Sequence, residues 1–160
     1  MKGFFLFITL IIISVCHPGE FLESVPNELY LENTSDQTVC FFITEKHNYP
    51  DTLFPTVLPI MYKLSKGESH LVYGHTKDSW SRAIKKDFNS NYLSVYVYDS
   101  LMLESSAWET ICKNYTILVR YDLTGDDIKR GCDFITYPPD ENMKSIHMWP
   151  PYEELIAKYK

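Results

Sequence analysis

Apolar and polar residues alternate with a period of two in several stretches of this chain. Leu93-Ser94-Val95-Tyr96-Val97-Tyr98-Asp99 is the clearest, with Leu93, Val95 and Val97 pointing one way and Ser94, Tyr96 and Tyr98 the other. Residues 116–121 read as a second strand, mostly apolar on both faces and so central in a sheet. Phe134-Ile135-Thr136-Tyr137 is a third, stopped by Pro138-Pro139. Residues 29–33 and 39–44 flank the turn-forming Thr34-Ser35-Asp36-Gln37, which predicts a hairpin with Val39, Phe41 and Ile43 on one face. Lys66-Gly67-Glu68 marks a turn before a strand from Ser69 that ends at Gly74. Pro50, Pro55 and Pro59 exclude a long helix between these runs.

A period near 3.6 takes over in short stretches. Ser106-Ala107-Trp108-Glu109 has the form of a capping box, followed by Ile111, Cys112 and Tyr115 at helical spacing. Residues 123–131 specify one short helix. Thr124 caps it, Asp126 and Asp127 occupy its first turn, and Lys129 and Arg130 lie near its end. Gly131 terminates it and Leu123 staples onto Ile128. The tail holds an echo: an aromatic, a proline pair and then acids, at Tyr137-Pro138-Pro139-Asp140 and again at Trp149-Pro150-Pro151-Tyr152-Glu153. Each second proline is expected at the first position of a helical turn, the last helix running over 152–159. Short strands with turn signals between them predict a mainly β, sandwich-like single domain with two or three short helices.

Length and charge narrow the picture. The chain has 160 residues, enough for one core, and a formal net charge of -6. That balance argues against a nucleic-acid partner, whose phosphates need basic patches, and Lys85-Lys86 reads as a solvated face. Lys2 precedes an apolar run from Phe4 to Ile13, too short for the about 20 residues of a membrane span and suited to the core of a signal peptide. Ile13-Ser14-Val15-Cys16 resembles a bacterial lipobox, and His17-Pro18-Gly19-Glu20 reads as a polar tether. The expected organisation is a signal peptide over 1–15, a tether lipidated at Cys16 over 16–26, and one domain over 27–160. Cleavage after Cys16 is the alternative, and would leave a soluble secreted protein. Two or three acyl chains would hold the protein on a membrane durably.

No constellation announces a reaction. Cys40, Cys112 and Cys132 are odd in number and sit where small hydrophobes would serve, so they read as buried free thiols. No Cys/His spacing suits zinc, and His47, His70, His75 and His147 read as separate solvated histidines. No metal or cofactor is expected. No GxSxG occurs, and the pairs Asp126-Asp127 and Glu153-Glu154 sit where acids stabilise helix starts. Twelve tyrosines and three tryptophans are the more distinctive signal. Tyr96, Tyr98, Tyr137, Trp149 and Tyr152 are a candidate contact surface, because rings with polar tips suit protein or glycan contacts.

The run ILVRYDLTGDDIKRGCDFITYPPDENMKSIHMWPPY, residues 117–152, resembles the ending shared by a group of small lipoproteins of Bacteroides-type bacteria. Tyr49-Pro50-Asp51-Thr52, the Ser79-Trp80 helix start and Trp108-Glu109-Thr110-Ile111 go with it. The resemblance implies a lipidated cysteine followed by a compact, mostly β domain in the cell envelope, on the outer membrane, and brings no assigned activity. It also implies O-glycan attachment where Asp-Ser or Asp-Thr precedes an apolar residue, at Thr52 in Asp51-Thr52-Leu53 and Ser100 in Asp99-Ser100-Leu101. The expected function is a non-catalytic binding or structural interaction domain, held on the membrane by its anchor and meeting an envelope protein or glycan. The rival expectation is an envelope glycan hydrolase recruiting acids such as Asp51 or Asp99.

Overall fold

The alternating runs become strands, but they divide between two sheets. The computed structural model describes residues 27–44, 57–75, 78–129 and 133–159. In chain order the elements are β1 (Asn27–Asn33), β2 (Val39–Ile43), β3 (Tyr62–Leu64), β4 (Ser69–His75), α1 (Trp80–Phe88), β5 (Leu93–Asp99), α2 (Ser100–Ser105), α3 (Trp108–Asn114), β6 (Val119–Leu123), α4 (Gly125–Lys129), β7 (Phe134–Tyr137), a 3-10 helix (Glu141–Ser145), β8 (His147–Trp149) and α5 (Tyr152–Ile156). The smaller sheet has the order β4-β1-β7, with β7 parallel to β1. The larger one runs β3-β2-β5-β6-β8, antiparallel throughout. The protein is mainly β and sandwich-like, as the alternation implies. Cys16, Thr52, His47, Asp51, Cys132 and the signal and tether segments lie outside the described residues.

The inner faces of the two sheets meet in one core. Leu93, Val95 and Val97 of β5 are fully buried there with Val119, Tyr121 and Leu123 of β6, against Leu29, Leu31, Ile135 and Tyr137 of the smaller sheet. Tyr121 also donates a 2.8 Å hydrogen bond across the sandwich to the Thr136 carbonyl. Burying one Leu- or Val-sized side chain contributes about 1.5–3 kcal/mol, so this face supplies most of the driving force.

The predicted hairpin does not form. β1 belongs to the small sheet and β2 to the large one, so residues 34–38 carry the chain from one sheet to the other. Residues 65–68 make the same crossing between β3 and β4, with Gly67 at φ +77°. Asn33 joins these corners. Its side chain donates to the carbonyls of Gln37 (2.8 Å) and Leu64 (3.0 Å) and accepts from the Ser35 amide and hydroxyl. Its amide donates to Glu68 and its carbonyl accepts from Gly67. Short polar turns occur in both hairpins and corners, and only a long-range partner for Asn33 separates them.

The opposite end of the sandwich is closed by α1 and α4, whose Trp80, Ile84, Phe88 and Ile128 enter the core. Gly125 is buried here against Ser81, and only glycine fits because a Cβ would stand 2.3 Å from the Ser81 hydroxyl. Thr124 caps α4 as expected, and Asp127 makes the cap reciprocal: the Asp127 amide donates to Thr124 Oγ1 (3.1 Å) and the Thr124 amide to Asp127 Oδ2 (2.9 Å). The capping box expected at Ser106-Ala107-Trp108-Glu109 is absent. Ala107 is the N-cap of α3, with no side-chain cap bond, and Ser106 instead ends α2.

Three further expectations shift. β6 starts and ends later than 116–121, and Pro139 and Pro151 precede their helices rather than entering them. α5 also stops at Ile156.

Candidate functional site

The outer face of the large sheet is covered as well. Helices α2 and α3 lie on it, and Phe42, Tyr96, Tyr98 and Ile111 form a second core with Met102, Leu103 and Trp108 against them. Phe42 stacks on Tyr96 (5.1 Å between centroids) and on Tyr98 (5.8 Å), and Tyr98 meets Trp108 at 5.8 Å. Burial drives the Tyr96 and Tyr98 phenols well above their ordinary pKa. The expected contact surface is therefore corrected for both residues. Alternation shows that Tyr96 and Tyr98 leave the inner core but does not tell a layer of helices from water.

Tyr137 is corrected likewise. It is buried in the main core, and its hydroxyl accepts from Gln37 Nε2 at 2.7 Å and pairs with the Tyr159 hydroxyl. Trp149 is 43 % exposed and Tyr152 is half-buried, so both reach the surface. Ser100 is 3 % exposed and donates to Glu104 Oε1 at 3.3 Å. Burial keeps that hydroxyl from solvent in the folded protein, and the neighbouring Asp99 caps α2 by accepting from the Leu101 and Met102 amides.

Beyond the aromatic cluster the same face turns polar. The register sets Ser94 beside Asp122 and Asp122 beside His147, one residue from each of β5, β6 and β8. Asp122 is 1 % exposed. Its Oδ1 accepts from the Ser94 hydroxyl at 2.7 Å, and its Oδ2 accepts from Arg120 Nε at 3.0 Å and faces His147 Nδ1 at 3.1 Å. Arg120 Nη1 donates to the Tyr115 hydroxyl at 2.6 Å. Tyr115 reaches it from the C-cap of α3, at φ 50°, with its ring edge-on to Trp149. Burial opposes the Arg120 charge, but Asp122, Tyr115 and Tyr96 more than offset it, so the guanidinium is held above its ordinary pKa.

His147 carries this network outward. It borders an open groove of about 410 Å³ between β8 and α5, lined also by Lys144, Pro151, Tyr152 and Glu153. An ionised carboxylate only accepts, so Asp122 fixes the proton on Nδ1, and in the neutral ring Nε2 is then an acceptor. Lys144 Nζ lies 2.7 Å from Glu153 Oε1 and 6.0 Å from the Tyr152 ring centroid, and its bond to Glu153 raises the ammonium pKa. A second open groove of about 320 Å³ runs beside Asp36, Gln37, Pro138 and Tyr159.

Ser94, Asp122 and His147 do not make a nucleophilic relay, because the buried serine bonds the aspartate and not the imidazole. Of the acids paired in the sequence, Asp126 meets Lys129, Asp127 meets Thr124 and Glu153 meets Lys144. Among the described residues no three His, Cys, Asp or Glu side chains converge as a metal site. His70 packs on the Tyr62 ring (4.2 Å) and His75 on Trp80 (4.5 Å), so neither is a free solvated imidazole. Cys40 and Cys112 are free thiols, Cys40 buried and Cys112 half-buried, and burial raises the pKa of both.

Sequence reasoning missed Arg120 and Asp122. The available signal was two charges at alternate positions of an otherwise apolar run. No family model matches the chain, nor does any curated protein or solved structure.

Proposed function

We propose that the chain is a cell-envelope lipoprotein, anchored at Cys16, whose folded domain is a non-catalytic binding module with its ligand seat in the groove beside β8. The observation that supports a seat is the orientation of His147 by the buried Asp122 at the edge of a groove bearing a ring, a cation and an acid. Fixing a side chain before the ligand arrives lowers the entropic cost of binding. An aromatic ring beside hydrogen-bonding groups suits the polar, ring-bearing surface of an envelope protein or glycan.

The test compares envelope-extract material retained by the purified wild-type chain and by Tyr152→Ala. The groove reading expects one retained component to be lost in the variant while it stays folded at the assay temperature, with some loss of thermal stability because the Tyr152 ring also packs on the main core. Equal retention by both would overturn it. The mass of the mature N-terminus tests the anchor independently. A hydrolytic reading would draw on the Asp122–His147 pair as a general base, and release of soluble sugar from envelope glycan by wild type but not by His147→Gln would favour it.

A further inference from the structure

We propose that the end of the sandwich where the chain enters at Asn27 lies on a lipid bilayer, with Val57, Leu58 and Ile60 dipped into the boundary between headgroups and acyl chains. The inference rests on the anchored reading above and adds which end of the domain faces the membrane.

Val57, Leu58 and Ile60 are 75 %, 55 % and 85 % exposed. Three branched apolar side chains in four consecutive loop positions, facing water, are a marker of a contact surface. Strand register shows where they sit. Tyr62 pairs with Phe41 and Leu64 with Val39, so residues 57–61 lead into β3 from the Ile43 end of β2, the end away from the Asn33 corner. Asn27 pairs with His75 and Asn33 lies at that corner, so the chain also enters the sandwich at the end away from it. The entry point and the apolar loop therefore share one end.

Residues 17–26 reach roughly 35 Å when fully extended. An acylated Cys16 would keep Asn27 within that distance of the bilayer, and the loop with it. Leu101 supplies the internal contrast. It is also apolar and 73 % exposed, but it follows Asp99, which pairs with Val39 at the corner end. Side chains of this kind insert shallowly, about 5–10 Å, beside the headgroups.

The test uses the acylated full-length product purified from envelopes and reconstituted in phosphatidylethanolamine–phosphatidylglycerol vesicles with brominated acyl chains. Leu58→Trp and Leu101→Trp are compared after subtraction of wild-type emission from Trp80, Trp108 and Trp149. The added emission at position 58 should be blue-shifted and quenched at least about twofold more than that at 101. Equal quenching at both positions would overturn the proposal. So would a blue shift at 58 without quenching, which would mean that protein, such as a second copy, covers the loop. An unacylated mature N-terminus would overturn the anchored reading by itself and is read from the mass, apart from the quenching.

Discussion

The two faces of β6 differ in how they are made to exclude water. The inner residues Val119, Tyr121 and Leu123 are buried because apolar surface from the small sheet meets them. The outer residues Arg120 and Asp122 are equally buried, at 5 % and 1 % exposure, but only because each satisfies the other and Ser94, Tyr96, Tyr115 and His147 join the network. An apolar contact degrades gradually as atoms are lost. A buried charge network fails as a unit, since removing one partner strands the other's charge.

That difference can be broken experimentally. Asp122→Ala is expected to have the largest effect, about 3–5 kcal/mol of unfolding free energy in a denaturant titration, because Arg120 stays buried without its carboxylate. Tyr96→Ala should cost about 3 kcal/mol, a loss that a surface contact residue would not show. Replacing the pair together, Arg120→Met with Asp122→Leu, should recover part of the Asp122→Ala loss, because no charge stays buried unpaired, while the buried Ser94 hydroxyl loses its acceptor. A double variant as damaged as Asp122→Ala alone would mean that the outer face depends on shape rather than on paired charge.

Smaller effects sharpen the contrast. His147 is half-exposed, so His147→Gln should leave the unfolding midpoint nearly unchanged while weakening retention of any groove ligand. Glu104→Gln should move stability least, because its ion pair with Lys63 is exposed. The Lys63 bond holds the Glu104 carboxyl below its ordinary pKa. Whatever the pair contributes is therefore present above the ordinary carboxylate pKa and fades as pH falls through the lowered value; Glu104→Gln should flatten that part of the acid unfolding profile.

Legibility followed the range of the interactions. β5, β7 and the Thr124 cap were readable because alternation and capping chemistry act over a few residues. The Asn33 corner was misread as a hairpin because its partners, Leu64 and Glu68, are more than thirty positions away. Ser106 was misread as a cap because the chain leaves α2 and enters α3 one residue apart. The site was the least legible part. Ser94, Asp122 and His147 come from three strands, and none is distinctive alone.

The amino-acid sequence alone determined that this chain folds into short strands around an apolar core, because a period of two commits every second residue to one side. It did not determine what lies on the other side. Tertiary structure placed helices over Tyr96 and Tyr98, turned a hairpin signal into a crossing between sheets, and set an arginine, an aspartate and a histidine in contact across β6 and β8. The physical reason is that burial of a polar group depends on whether a partner arrives from elsewhere in the chain, and no local pattern carries that information.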